Sequence, residues 1–77
     1  MDRVKTDPVK ALVESICVTL REIREKRGLS QVRLAEIAGI SRTGLRHIEN
    51  LEASPTLASL LRISEALEVD LASLLRE

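Results

Sequence analysis

The twenty residues from Gln31 to Asn50, QVRLAEIAGISRTGLRHIEN, constrain the fold of this chain most. The apolar spacing predicts a short helix over Gln31–Ala38. Leu34, Ala35 and Ala38 share one face of it, with Ile37 beside them. A second short helix starts near Arg42, with Leu45 and Ile48 facing inward at i, i+3 spacing. Gly39 falls directly after the first of these helices, where a residue of positive φ commonly ends a helix. Ser41 is placed as an N-cap whose oxygen can accept from a free N–H of the next helix. Ile40 and Leu45 take the two positions of a hydrophobic staple. Two short helices joined by so tight a turn make a helix-turn-helix.

With Leu45 and Ile48 turned inward, Arg42, Thr43, Arg46, His47 and Asn50 share the opposite face. A helix of this size fits the major groove of B-DNA. The N-terminal part of the second helix is the part that meets base edges in such units. Arg42 is the first candidate for a bidentate contact to guanine. Arg46 suits either a base or a phosphate, Thr43 a thymine methyl, and His47 a base acceptor. For each of them a solvated surface side chain is the plainer alternative, most of all for His47. Gly44 is unusual, since Gly inside a helix costs about 1 kcal/mol relative to Ala.

The formal net charge of the 77 residues is zero. Its distribution is uneven. Residues 21–46 carry Arg21, Arg24, Lys26, Arg27, Arg33, Arg42 and Arg46 against Glu22, Glu25 and Glu36, whereas residues 49–77 carry an acidic excess of the same size. Local charge rather than the total sets the field at a binding face. There is no aromatic residue, which removes base stacking, the common route to single-stranded nucleic acid. The core must be built from Leu, Ile, Val and Ala.

The remainder also reads as helix. Asp7-Pro8 is a helix start, and Val9, Leu12, Val13, Ile16, Leu20 and Ile23 repeat at three and four over Pro8–Arg27, ended by Gly28. The apolar face of its first turns needs cover from the same domain or from a second chain. Ser30 caps the Gln31 helix, with Leu29 and Leu34 as a second staple. A fourth helix begins at Ser54 or Thr56, with Pro55 in its first turn and Leu57, Leu60, Leu61, Ile63, Ser64 and Leu67 on its apolar and flanking positions. Asp70 caps a fifth helix carrying Leu71, Leu74 and Leu75. No strand signal appears. Residues 1–7 form a flexible N-terminus, and residues 8–77 one small domain that is essentially the whole protein.

The Gln31–Asn50 stretch resembles the helix-turn-helix of the Cro and phage-repressor (XRE-like) family. Gln31 opens the first helix, Ala35 is the small residue at the helix crossing, Gly39 lies in the turn, and Ile40, Leu45 and Ile48 are core positions. The likeness extends upstream through Leu20-Arg-Glu-Ile-Arg-Glu-Lys-Arg-Gly-Leu-Ser-Gln31. Downstream it runs through Ser54-Pro-Thr-Leu and Leu60-Leu-Arg-Ile-Ser-Glu-Ala-Leu67. The resemblance implies an all-α, five-helix lambda-repressor-like domain with the helix-turn-helix as its second and third helices. It implies a homodimeric transcriptional regulator on a near-palindromic operator in double-stranded DNA. Gln31 carries over as a phosphate clamp, with Arg33, Ser41 and Asn50 as further phosphate contacts. Arg24 and Glu49 match positions that often pair between the first and third helices; two separately solvated side chains are the alternative. The long first helix, Arg33 in place of a capping Glu, Leu51 in place of a Gly, and Glu52 in place of a cation depart from the family. Leu71, Leu74 and Leu75, or Val9, Leu12 and Val13, are the expected dimer surfaces. Restriction-modification controller proteins, phage repressors and antitoxins are the small members of the family; an RNA polymerase or toxin partner follows from two of those roles. A protein-interaction module on the same fold is the alternative function.

Enzymatic chemistry finds no support. His47 is the single histidine, the serines have no His-and-acid constellation, and no Gly-rich phosphate loop occurs. No cofactor is expected. The lone Cys17 suits a buried, inert thiol rather than a disulfide. With no apolar run of membrane length and no signal-peptide pattern, a cytoplasmic, nucleoid-associated protein is expected.

Overall fold

Five side chains open five helices. Asp7 accepts from the Val9 and Lys10 N–H groups, Ser30 from Arg33, Ser41 from Gly44, Thr56 from Ser59, and Asp70 from Ala72. Each satisfies donors that a helix leaves unpaired at its start, an effect worth about 1 kcal/mol per cap. The computed structural model describes residues 7–76. In order, the helices are α1 (Pro8–Lys26), α2 (Gln31–Ala38), α3 (Arg42–Glu49), α4 (Leu57–Ala66) and α5 (Leu71–Leu75). Among the described residues the all-α, five-helix expectation therefore holds, with α2 and α3 as the helix-turn-helix. Of the flexible N-terminus expected over 1–7, residues 1–6 lie outside the described residues, and Asp7 is not loose: it caps α1. Pro55 precedes the α4 cap and is not in the first turn of α4, because Thr56 is the residue that closes on Ser59.

The first four helices end in one repeated way. Gly28, Gly39, Leu51 and Glu68 all have φ between 58° and 74°. The residue after each returns its N–H to the carbonyl five positions back: Leu29 to Arg24, Ile40 to Ala35, Glu52 to His47, and Val69 to Ser64, at 2.8–3.1 Å. These are Schellman closures, which satisfy free carbonyls and turn the chain sharply. Two use glycine. Leu51 and Glu68 hold the same left-handed conformation against Cβ crowding, which costs roughly 1–2 kcal/mol.

The core joins Ile16, Cys17 and Leu20 of α1, Leu34 and Ala35 of α2, Leu45 and Ile48 of α3, Leu60 and Ile63 of α4, Leu67, and Leu71 of α5. Burial of each Leu or Ile contributes about 1.5–3 kcal/mol. α2 packs on both α3 and α4, and α1 on α3 and α5. The Arg27 guanidinium donates to the Leu67 carbonyl, tying the end of α1 to the end of α4. Buried Ser64 donates to the Leu60 carbonyl within α4 and so leaves no orphan hydroxyl.

One expectation about apolar faces needs correction, and two are made more definite. Leu71 is 6% exposed and belongs to the domain's own core, so it is not free to serve a dimer surface. Leu57 and Leu61 of α4 and Ile37 of α2 face outward; their spacing placed them beside the apolar stripes, but the neighbouring helices cover only Leu60, Ile63, Ser64 and Leu67 on α4 and Leu34, Ala35 and Ala38 on α2. On α1, Val13 packs against the core, whereas Val9 is 70% and Leu12 38% exposed. The domain covers its long first helix only in part.

Candidate nucleic-acid interface

α3 is two turns long and held from three directions. Ser41 Oγ closes its N-terminus on the Gly44 N–H at 2.9 Å. Leu45 and Ile48 sink its inner face into the core. Glu49, 4% exposed, anchors its last turn: its carboxylate receives Arg24 Nε at 2.7 Å and Arg24 Nη2 at 2.9 Å. The remaining Arg24 nitrogen, Nη1, donates to the Leu29 carbonyl at 2.6 Å. Arg24 and Glu49 thus form a buried, bidentate pair between α1 and α3, and the alternative of two solvated side chains falls. A buried pair gains little net stability over apolar residues, but it fixes geometry, because a planar fork meets a carboxylate in one orientation.

With α3 locked from behind, its outer face carries Arg42, Thr43 and Arg46 exposed and His47 half-buried. Among the described residues no ion pair engages Arg42 or Arg46. His47 Nε2 lies 3.9 Å from Glu52 Oε1. Asn50 is exposed and is the C-cap of α3. Arg33 is exposed too, where its guanidinium stands 3.3 Å from Glu36; such a surface pair contributes little stability. Ser41 spends an oxygen lone pair on its cap, which leaves the hydroxyl proton to donate elsewhere.

Two features were not legible as contacts. Gln31, expected to reach outward, donates from Nε2 to Glu49 Oε1 at 2.8 Å and is half-buried. Its partner lies eighteen residues away, so only the fold reveals the link. The basic excess over residues 21–46 also does not form one face: Arg24 is cancelled by Glu49, Arg27 bonds a carbonyl, and Arg21 pairs with Glu25. Gly44 has a local reason as well. A Cβ there would lie 2.9 Å from Ser41 Oγ, against the oxygen that caps the helix.

Among the described residues no group of three or more His, Cys, Asp or Glu side chains could hold a metal ion, and no helix is long and apolar enough to cross a membrane. Cys17 is buried, and burial, followed by the nearby Glu14 carboxylate, pushes its thiol above the ordinary value.

A family model described as helix-turn-helix matches residues 20–74. The HTH-type transcriptional regulator SutR of Escherichia coli K12 is 43% identical over 58 residues, which are 75% of this chain and 33% of that protein. The chain therefore spans about a third of that relative's length. The control protein C.SmaI of Serratia marcescens is 36% identical over 62 residues, 80% of this chain and 74% of that one. Among solved structures, the restriction-modification controller protein C.AhdI from Aeromonas hydrophila superposes with a TM-score of 0.74 at 31% identity, covering 83% of this chain and 96% of that one. These relatives are regulators and controller proteins rather than enzymes. By the family match and by these relatives, the chain belongs to the helix-turn-helix family of transcriptional regulators.

Proposed function

We propose that this chain binds double-stranded DNA sequence-specifically as a homodimer, on a near-palindromic operator, and controls transcription there. The carrying observation is the outer face of α3: Arg42, Thr43 and Arg46 stand free on a helix whose opposite face is locked into the domain. In this reading Arg42 and Arg46 read base edges, with Thr43 and His47 beside them. Gln31, Arg33, Ser41 and Asn50 hold the phosphate backbone. Two copies place their recognition helices in successive major grooves, about 34 Å apart. Of the side chains expected at a dimer surface, Leu75 at α5 and Val9 and Leu12 at α1 are uncovered, with Leu74 and Val13 half-buried beside them. The match of nearly the whole of a controller protein to this chain supports a compact regulator of that type.

The test is a titration of the protein onto its own upstream DNA, beside random DNA of equal length, over a salt series. The expected result is tight, cooperative binding to the former that weakens steeply with salt. Arg42→Ala should relax base preference by about 1–3 kcal/mol at one position of each half-site. Absence of binding even at low salt overturns the reading and directs the search to a protein partner.

A further inference from the structure

We infer that Glu49 is a positioning residue for DNA, acting through Gln31: it holds the Gln31 amide so that the second N–H of that amide is presented to a backbone phosphate. The inference rests on the DNA-binding reading and adds to it the part played by a buried acid that touches no DNA itself.

The chemistry of the three side chains carries the argument. Glu49 is an acceptor only, and its Oε1 already receives Arg24 Nη2 at 2.9 Å. The Gln31 atom that faces this oxygen at 2.8 Å must therefore be the amide nitrogen and not the amide oxygen. An amide nitrogen has two N–H groups in one plane, about 120° apart. With one committed to Glu49, the other has a fixed direction away from it. Gln31 is half-buried at the first position of α2, so the residue is not closed off from solvent, and the second N–H is the donor the fold leaves unassigned. The Ser30 hydroxyl takes the Arg33 N–H, while the free backbone donors of the first α2 turn lie beside the same spot.

Glu49 suits this role because its own charge is cancelled. An unpaired carboxylate so near a phosphate would repel it. Here the bidentate Arg24 neutralises the acid and makes it a rigid, strong acceptor. The rotamer freedom of Gln31 is thus given up on folding and not on binding, which is how a neutral amide becomes an effective phosphate ligand. Since Glu49 is the last residue of α3 and Gln31 the first of α2, the contact also sets the register of the reading helix against the backbone clamp.

The test compares four full-length chains: wild type, Gln31→Ala, the apolar replacement Arg24→Met with Glu49→Leu, and all three changes together. The double replacement removes the anchor without burying a lone charge, and such swaps often leave a fold as stable or more so. Each chain is titrated onto a duplex selected from a random pool by the wild type, with backbone phosphates replaced one at a time by neutral methylphosphonate. Gln31→Ala should weaken binding about tenfold, the size of a hydrogen bond to a charged group, and abolish the sensitivity of one phosphate per half-site. The folded double replacement should lose sensitivity at that same phosphate, and adding Gln31→Ala to it should cost less than about threefold. If the double replacement folds and keeps both that phosphate and the full tenfold cost of Gln31→Ala, Glu49 has no positioning role. If the wild type selects no DNA, the DNA-binding reading falls and takes this inference with it.

A measurement on the wild type alone does not depend on any variant folding. Gln31 is the only glutamine and Asn50 the only asparagine, so the side-chain carboxamide spectrum holds two pairs of signals. One Gln31 amide proton should be protected from solvent exchange before DNA is added, and the other should shift on its addition. Two equally exchanging protons in the free protein would overturn the inference.

Discussion

The inner edge of α3 and the first two turns of α1 are both amphipathic helix surface, yet the domain treats them oppositely. Leu45, Ile48 and Glu49 of α3 are all buried and each has a partner within the fold. Val9 and Leu12 of α1 have the same kind of spacing, but they face solvent beside an open groove of about 430 Å³, bordered by Val9, Val13, Cys17, Leu51 and Pro55. Periodicity alone predicts equal burial for the two. Geometry separates them: α3 is embraced by α1 and α2, whereas among the described residues the groove beside the start of α1 is lined on its other side by the α3–α4 loop. A periodic face says that a helix can be covered; the neighbours it meets decide whether it is.

The sharpest way to break this contrast is Glu49→Ala. It leaves the Arg24 guanidinium buried without its carboxylate and should destabilise the domain by about 3–5 kcal/mol, a large share of what so small a domain holds. Urea unfolding followed by far-UV circular dichroism reads this directly. Leu51→Gly acts at the junction of the two regions. It relieves a left-handed leucine at the price of a half-exposed side chain and a more flexible unfolded chain, and a net gain of up to about 1 kcal/mol is expected in the same experiment. Val9→Ser, on the open side, should move stability by no more than about 0.5 kcal/mol; a larger loss at micromolar concentration, absent on dilution, would show that a second copy covers it.

The smallest effect is confined to alkaline solution. Burial raises the Cys17 thiol above its ordinary value, so the folded chain holds that proton more tightly than the unfolded one. The resulting stabilisation is complete below the ordinary thiol value of about 8.5 and is lost as pH rises through the folded value. Relative to Cys17→Ala, the wild-type midpoint in urea should therefore fall only above about pH 8.5. Native alkylation by iodoacetamide should be slow at neutral pH, since the floor of the groove exposes little of this thiol.

Much of the scaffold could be read from local chemistry. The α2 span, the Ser30, Ser41 and Asp70 caps and the Gly39 turn depend on residues within five positions of each other, and each stands where propensity and capping place it. The outward row on α3 followed from the inward pair Leu45 and Ile48. What escaped the reading was long-range. Gln31 turns to Glu49 because α2 and α3 cross there. Leu71 is taken up by the domain's own core, because α1 and α4 both close on α5. Leu51 takes a left-handed backbone because the α3 closure demands it, whatever residue stands there. The Arg24–Glu49 pair is the exception, a long-range contact anticipated through family resemblance rather than from the residues themselves.

The way α3 is fastened also bears on how such a chain diverges. Every fastening lies behind or at the ends of the helix, in Ser41, Leu45, Ile48 and Glu49. Arg42, Thr43 and Arg46 take part in none of them. Substitutions at those three sites should leave stability within about 0.5 kcal/mol, so lineages can exchange them freely without passing through an unfolded ancestor. If the outer face of α3 reads DNA as proposed above, a duplicated copy of this gene is free to acquire a new address on DNA while its scaffold stays under unchanged selection.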